Sequence, residues 1–183
     1  MAPPPKKSRP KLMLPSARFQ RSFIAAMEEF AAEGRCGDDS MIGKDMERFG
    51  PSWRTPEGFA AFLAKLAAVR HTPPHEKFVC STTWWWTEGD EFIGRIAVRH
   101  ELNARLLEAG GHIGYDVRRS RRREGHATRM LAAVLPKARK LGIGRVLITC
   151  HPENVASRRV IEANGGVFED QRADLLRFWI PEG

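Results

Sequence analysis

Cysteine is scarce in this chain: three in 183 residues, Cys36, Cys80 and Cys150. The number is odd, the positions lie far apart and none falls into a metal-ligand spacing. A disulfide-built scaffold and a cysteine-held metal are therefore excluded, and no metal is expected. Free thiols suit a reducing compartment, so a cytoplasmic location is expected. Long apolar runs are missing as well, since none approaches the roughly 20 residues that cross a bilayer. The first fifteen residues hold basic side chains but no apolar stretch, unlike a secretory signal. Tyrosine occurs once, as Tyr115, which leaves few candidates for a phenolic acid in catalysis.

What the chain does have is positive charge. Its formal net charge is +8, and the excess is uneven. One part lies in Pro3-Pro4-Pro5-Lys6-Lys7-Ser8-Arg9-Pro10, a composition that favours neither helix nor sheet. Residues 1–10 therefore read as a flexible basic tail, and 11–183 as a single domain large enough to bury a core. The other part is a cluster of five arginines within Arg118–Arg123. Such a focus suits nucleic acid or a ligand bearing several phosphates. The nucleic-acid reading is the weaker one, because no exposed aromatics interleave the arginines and no recognition helix is evident.

Apolar periodicity outlines the elements. A short strand at Lys11–Leu14 precedes a helix that Ser16 is placed to cap, with Phe19, Phe23, Ile24, Met27 and Phe30 along one face. Residues 35–54 read as a loop with little regular structure. Thr55-Pro56-Glu57 signals the start of a second helix. Extended segments follow at 77–87 and 91–100, joined by the glycine-bearing turn Glu88-Gly89-Asp90 as a hairpin. Residues 101–111 form a connection. A strand at 112–117, a helix from about Gly125 to Leu141 carrying Pro136, a strand at 145–150, a helix at 154–163 and two terminal strands complete the order.

The segment Val117-Arg-Arg-Ser-Arg-Arg-Arg-Glu-Gly-His-Ala-Thr128 joins a strand to a helix and is the most informative part of the chain. The first N–H groups of a helix have no partner within it, and the helix dipole adds positive potential there. Gly125 and Ala127 keep that helix start bare, while Arg122 is suited to fork onto a phosphate.

The spacing Arg122-x-x-Gly125-x-Ala127, followed downstream by the strand 145–150 and Asn154-x-x-Ser157, resembles the GNAT N-acetyltransferase superfamily. The element order resembles it from Lys11 onward. The resemblance implies an α+β (mixed α/β) GNAT fold, a splayed mixed sheet of about six to seven strands flanked by helices. It also implies acetyl-coenzyme A as co-substrate, lodged in the splay. Val117, Arg118, Arg119, Arg122, Arg123, Glu124, Gly125, His126, Ala127 and Thr128 would then hold the pantetheine and pyrophosphate. Asn154 and, one turn further on the same helix face, Ser157 would contact the cofactor, Asn154 at the pantetheine arm, with helix capping as the alternative for Asn154. The Val117 N–H would stabilise the oxyanion.

For the proton of the attacking amine the first candidate base is His112, then Glu101 with its neighbour His100. The family's usual tyrosine acid falls here at Ile161. Loss of that acid leaves room for a weak or inactive acyl-coenzyme A sensor as the alternative to an enzyme. Trp84 and Trp86 share one strand face and are candidates for an aromatic wall around the acceptor, with core packing as the competing role. The acceptor itself, a small-molecule or peptide amine, is not specified by the sequence, and homodimerisation is left open.

Overall fold

The computed structural model describes residues 8–182; the tail expected over residues 1–10 falls mostly outside them. The elements are β1 (Lys11–Met13), α1 (Gln20–Ala32), α2 (Met41–Phe49), α3 (Pro56–Ala68), β2 (Ser81–Glu88), β3 (Glu91–Arg99), α4 (Ala104–Glu108), β4 (Ile113–Val117), α5 (His126–Lys140), β5 (Val146–Cys150), α6 (Val155–Glu162), β6 (Val167–Arg172) and β7 (Leu175–Ile180). Among these residues no helix is long and apolar enough to cross a membrane.

Three local expectations need correction. Residues 35–54 are not a loop: they form α2 and a 3₁₀ turn at Gly50–Arg54. Ser40 caps α2 by accepting the Gly43 N–H at 3.0 Å, but the inward face mixes Ile42 and Met46 with the buried Asp45. At nine residues, with the poor helix former Gly43 in its first turn, α2 gives only a weak propensity signal. Residues 101–111 contain the short α4, started by Asn103, whose Oδ1 accepts the Leu106 N–H at 2.9 Å. Ser16 makes no side-chain cap; a 3₁₀ turn, Ala17–Phe19, intervenes before α1. Thr55 does cap α3, accepting the Gly58 N–H at 3.1 Å. The helix α5 continues unbroken past Pro136.

The strands form two sheets, β1-β2-β3-β4 and β5-β7-β6, and every pairing within them is antiparallel. The split falls between β4 and β5, as the expected splay does, and the two sheets meet where His112, just before β4, touches Leu147 of β5. The His112 N–H donates to the Leu147 carbonyl at 2.7 Å, and the Leu147 N–H donates to His112 Nδ1 at 2.9 Å.

Two cores lie on opposite faces of the first sheet. Trp84, Trp86, Ile96, Val98 and Ile113 pack against Met130, Leu131 and Val134 of α5. Trp85 and Phe92 pack against Phe19, Phe23, Phe59 and Phe62 from the N-terminal helices, with Phe23 stacked on Trp85 at 5.0 Å between ring centroids. Strand alternation predicts this division of the three tryptophans. It also corrects the aromatic wall: Trp84 is 9% and Trp86 4% exposed, beneath α5. Their indoles are core, so they do not line an acceptor site.

Candidate active site

The edge of β4 that faces away from β3 is the first feature of the site. The Arg99 N–H donates to the His112 carbonyl and the Arg118 N–H to the Ile93 carbonyl. In an antiparallel ladder the intervening odd-numbered residues turn their peptide groups the other way. Ile113, Tyr115 and Val117 therefore present N–H and C=O groups to the gap between the sheets. The Val117 carbonyl accepts from Arg122 Nε at 2.9 Å.

At the far end of β4 the chain turns into α5 through two left-handed residues, Arg123 (φ 64°) and Gly125 (φ 73°). Left-handed conformation strains a residue with a Cβ, which is why glycine suits position 125. No side chain caps α5. The N–H groups from Arg123 to Thr128 find no partner among the described residues, and together they form a concave array of donors, an anion nest. This is the arrangement expected from Gly125 and Ala127.

The five arginines beside it separate by burial. Arg118 is buried, with Nε donating to Glu29 at 2.9 Å and Nη1 to the Phe92 carbonyl at 3.2 Å. Its guanidinium ties α1 to the sheet and is removed from the proposed phosphate ligands. Arg121 is also committed, to Glu88 at 2.8 Å and to Glu91 and Glu124. Arg122, the expected phosphate fork, instead forks onto Glu33 at 2.6 and 2.7 Å. That pair is partly exposed (41% and 19%), and an ion pair of this kind contributes only about 0–1 kcal/mol. A phosphate dianion can displace it at little cost. Arg119 and Arg123 are exposed and hold no carboxylate among the described residues.

His126, expected only to space the motif, holds the nest in place. Its Nδ1 accepts from Trp86 Nε1 at 3.1 Å. Indole N–H can only donate, so Nε2 carries the proton and donates to Glu124 Oε2 at 3.2 Å. Burial keeps this imidazole below its ordinary pKa, in the neutral form the network requires. Glu29, Glu33 and the Trp86–His126 link were missed in the sequence because their partners lie on other elements. Glu29 on α1 and Glu33 at its C-cap stand four apart, which was the available signal.

The candidate bases fare differently. His112 is 6% exposed, and burial, then the nearby Arg99, lower its pKa to about 4. Since Nδ1 accepts the Leu147 N–H, the single proton of the neutral ring sits on Nε2, and no lone pair is left for a substrate proton. His112 is a structural latch between the sheets, not a base. His100 Nε2 lies 2.9 Å from Thr82 Oγ1, and Glu101 is exposed at the end of β3.

On the other wall of the gap, Asn154 Oδ1 accepts the Ser157 N–H at 3.0 Å. The capping role is what the structure shows for this oxygen, leaving only the amide nitrogen of Asn154 for a ligand. Ser157 Oγ is 2.8 Å from the Tyr115 hydroxyl, whose pKa burial pushes up to about 12. Ile161 is fully buried, so no group at the usual tyrosine position reaches the gap. Among the described residues no three His, Cys, Asp or Glu side chains gather as a metal ligand set.

A sheet opened between β4 and β5, with a bare helix start at the mouth of the opening, is the frame of an acyltransferase that takes its acyl group from coenzyme A. Residues 36–167 match the family model of the acetyltransferase (GNAT) domain. The chain belongs to this family and is an acetyl-coenzyme A-dependent N-acetyltransferase. Among solved structures it is similar to RimJ of Mycobacterium smegmatis in complex with a coenzyme A disulfide (TM-score 0.67, 19% identity, 95% of this chain and 82% of that one). It is also similar to RimL, a ribosomal L7/L12 α-N-protein acetyltransferase in complex with coenzyme A (TM-score 0.64, 15% identity, 94% and 93%). A third is MccE, a microcin C7 self-immunity acetyltransferase in complex with acetyl-coenzyme A and AMP (TM-score 0.66, 10% identity, 94% and 92%). These likenesses support the fold. No curated protein matches the sequence.

Proposed function

We propose that the protein moves the acetyl group of acetyl-coenzyme A to a primary amine by direct attack, with the pyrophosphate on the nest at Arg123–Thr128. The observation that carries this reading is the run of unpartnered N–H groups at the start of α5, flanked by Arg119, Arg122 and Arg123. The pantetheine arm pairs with the open edge of β4 at Val117 and its neighbours, and the amide nitrogen of Asn154 contacts it from α6. The Val117 N–H faces the developing oxyanion. A donor fixed there stabilises charge without reorganising during reaction.

Because His112 has no free lone pair, the amine's proton leaves through water to Glu101, with His100 beside it. The departing thiolate is only moderately basic. A hydrogen bond from the Ser157–Tyr115 pair suffices to stabilise it, and solvent supplies the proton. The sensor reading draws on the loss of the family's acid at Ile161; this hydroxyl pair weakens it. The nucleic-acid reading weakens too, since Arg118 and Arg121 of the cluster are held by carboxylates within the fold. An amine-library screen that follows free thiol tests the proposal. Thiol released with an amine, above the rate with acetyl-coenzyme A alone, is expected. Tight coenzyme A binding with no release for any amine would favour the sensor.

A further inference from the structure

Away from the nest, at the beginning of β4, one cation lacks the counter-charge that its peers have. Five other inward arginines each hold a carboxylate: Arg35 with Asp116 at 2.7 Å, Arg95 with Asp45 at 2.9 Å, Arg118 with Glu29, Arg121 with Glu88, and Arg177 with Asp170 at 2.8 Å. Arg99 holds none among the described residues. Its Nη1 donates to the carbonyls of Gly110 and Gly111 at 2.9 and 3.0 Å, and its Nη2 meets only Met41 Sδ at 3.6 Å. Its charged neighbours are Arg95 and Arg105, and burial beside them lowers its pKa to about 10. Burying a charge without a partner is costly, so this place favours an anion that the chain itself does not provide.

The surroundings fit a ligand. Register pairs Arg95 with Asp116 and Ala97 with Gly114, and alternation then puts Arg95, Arg99, His112, Gly114 and Asp116 on the face toward α2. Gly114 leaves the strand bare between His112 and Asp116; a Cβ there would meet only Met41 Sδ, at 3.8 Å. The carboxylates on this face are already engaged: Asp116 by Arg35, Asp45 by Arg95 and Lys65, Asp38 by Arg35. Arg95 Nη2 is buried with no partner. The first turn of α2 adds no free site, because Asp38 already accepts from Ser40 there.

We propose that the amine acceptor carries a carboxylate, and that Arg99 binds it on the α2 face of β4 where the two sheets part. This rests on the acetyltransferase reading above and names the substrate class for the same site. A guanidinium gives a carboxylate two parallel hydrogen bonds, which a neutral amide cannot match.

The test uses the full chain saturated with coenzyme A, titrated calorimetrically with N-acetylglycine, N-acetyl-β-alanine and N-acetyl-γ-aminobutyrate, each against its primary amide. At least one acid is expected to bind about tenfold or more tightly than its amide. Arg99→Gln should erase that preference with coenzyme A affinity unchanged. Should Arg99→Gln fail to fold, Arg99→Lys decides, with a preference reduced about threefold or more because the fork is lost. Equal binding of acids and amides, no binding of any acid, or a preference that survives these substitutions would overturn the proposal. Loss of coenzyme A binding by the wild type would instead overturn the acetyltransferase placement on which it rests.

Discussion

The two ends of β4 are built by different means. At its C-terminal end, main-chain groups do the work: the donors of Arg123–Thr128 are aimed by two left-handed residues and an uncapped helix start. At its N-terminal end, side chains from separate elements meet: His112 latches onto β5, and Arg99 reaches the Gly110 and Gly111 carbonyls and Met41 of α2. Main-chain sites need small residues at fixed spacing, and spacing is visible in one stretch of sequence. Side-chain sites need partners far apart in the chain, which only the fold brings together.

The largest effect should come from blocking the nest. Gly125→Glu puts a carboxylate among the donors proposed to hold phosphate and forces a Cβ into a left-handed position. Acetyl-coenzyme A affinity measured by calorimetry should fall at least about 100-fold, while the fold costs only about 1–2 kcal/mol. Near-normal affinity would show that the cofactor does not use this helix start.

The opposite end should respond in stability rather than in cofactor binding. His112→Ala leaves the buried Leu147 N–H without its acceptor, a loss of about 1–3 kcal/mol. Its pH dependence has a definite sign. The unfolded ring takes up a proton below its ordinary pKa of 6.5, whereas the folded ring resists down to about 4. Native stability should therefore decline as pH falls from 6.5 toward 4, by about 2–3 kcal/mol at most. In His112→Ala denaturant titrations that slope should become shallower, keeping only the same-signed share of His100 and His126, whose burial also lowers their pKa values, and coenzyme A affinity should stay near the wild-type value. A variant equal to wild type in stability, but with a shifted pH–rate profile, would restore His112 as the base.

Within the arginine cluster the contrast is finer. Arg121→Ala strips three carboxylates of their common partner and should lower stability by about 2–3 kcal/mol. Arg122→Ala breaks a partly exposed pair and should cost less than about 1 kcal/mol of stability. It should weaken coenzyme A about tenfold, the worth of one charge-assisted phosphate contact. Reversed outcomes would exchange their roles. The smallest effect is expected from Trp86→Phe, which keeps the core but removes the N–H that fixes His126. A stability loss of about 1 kcal/mol and a few-fold drop in coenzyme A affinity are expected.

The same division explains how much could be read in advance. The helix start at Gly125 and Ala127, the hairpin at Gly89 and the Thr55 cap were all legible, since each rests on short-range chemistry. Periodicity separated Trp85 from Trp84 and Trp86, yet could not tell a buried face from an acceptor wall, because α5 covers them from forty residues away. The helix α2 is poorly legible because it is only nine residues long and holds Gly43, while the partners of its Asp45, Arg95 and Lys65, come from distant elements. Likewise His112 looked like a base until Leu147, thirty-five residues on, claimed its lone pair.

The most direct test follows backbone amide resonances of the isotopically labelled chain while coenzyme A is added. The amides of residues 123–128 should shift strongly and saturate together with binding, ahead of those in the Gly110–His112 region. Saturable binding that leaves these six amides unmoved would contradict the account.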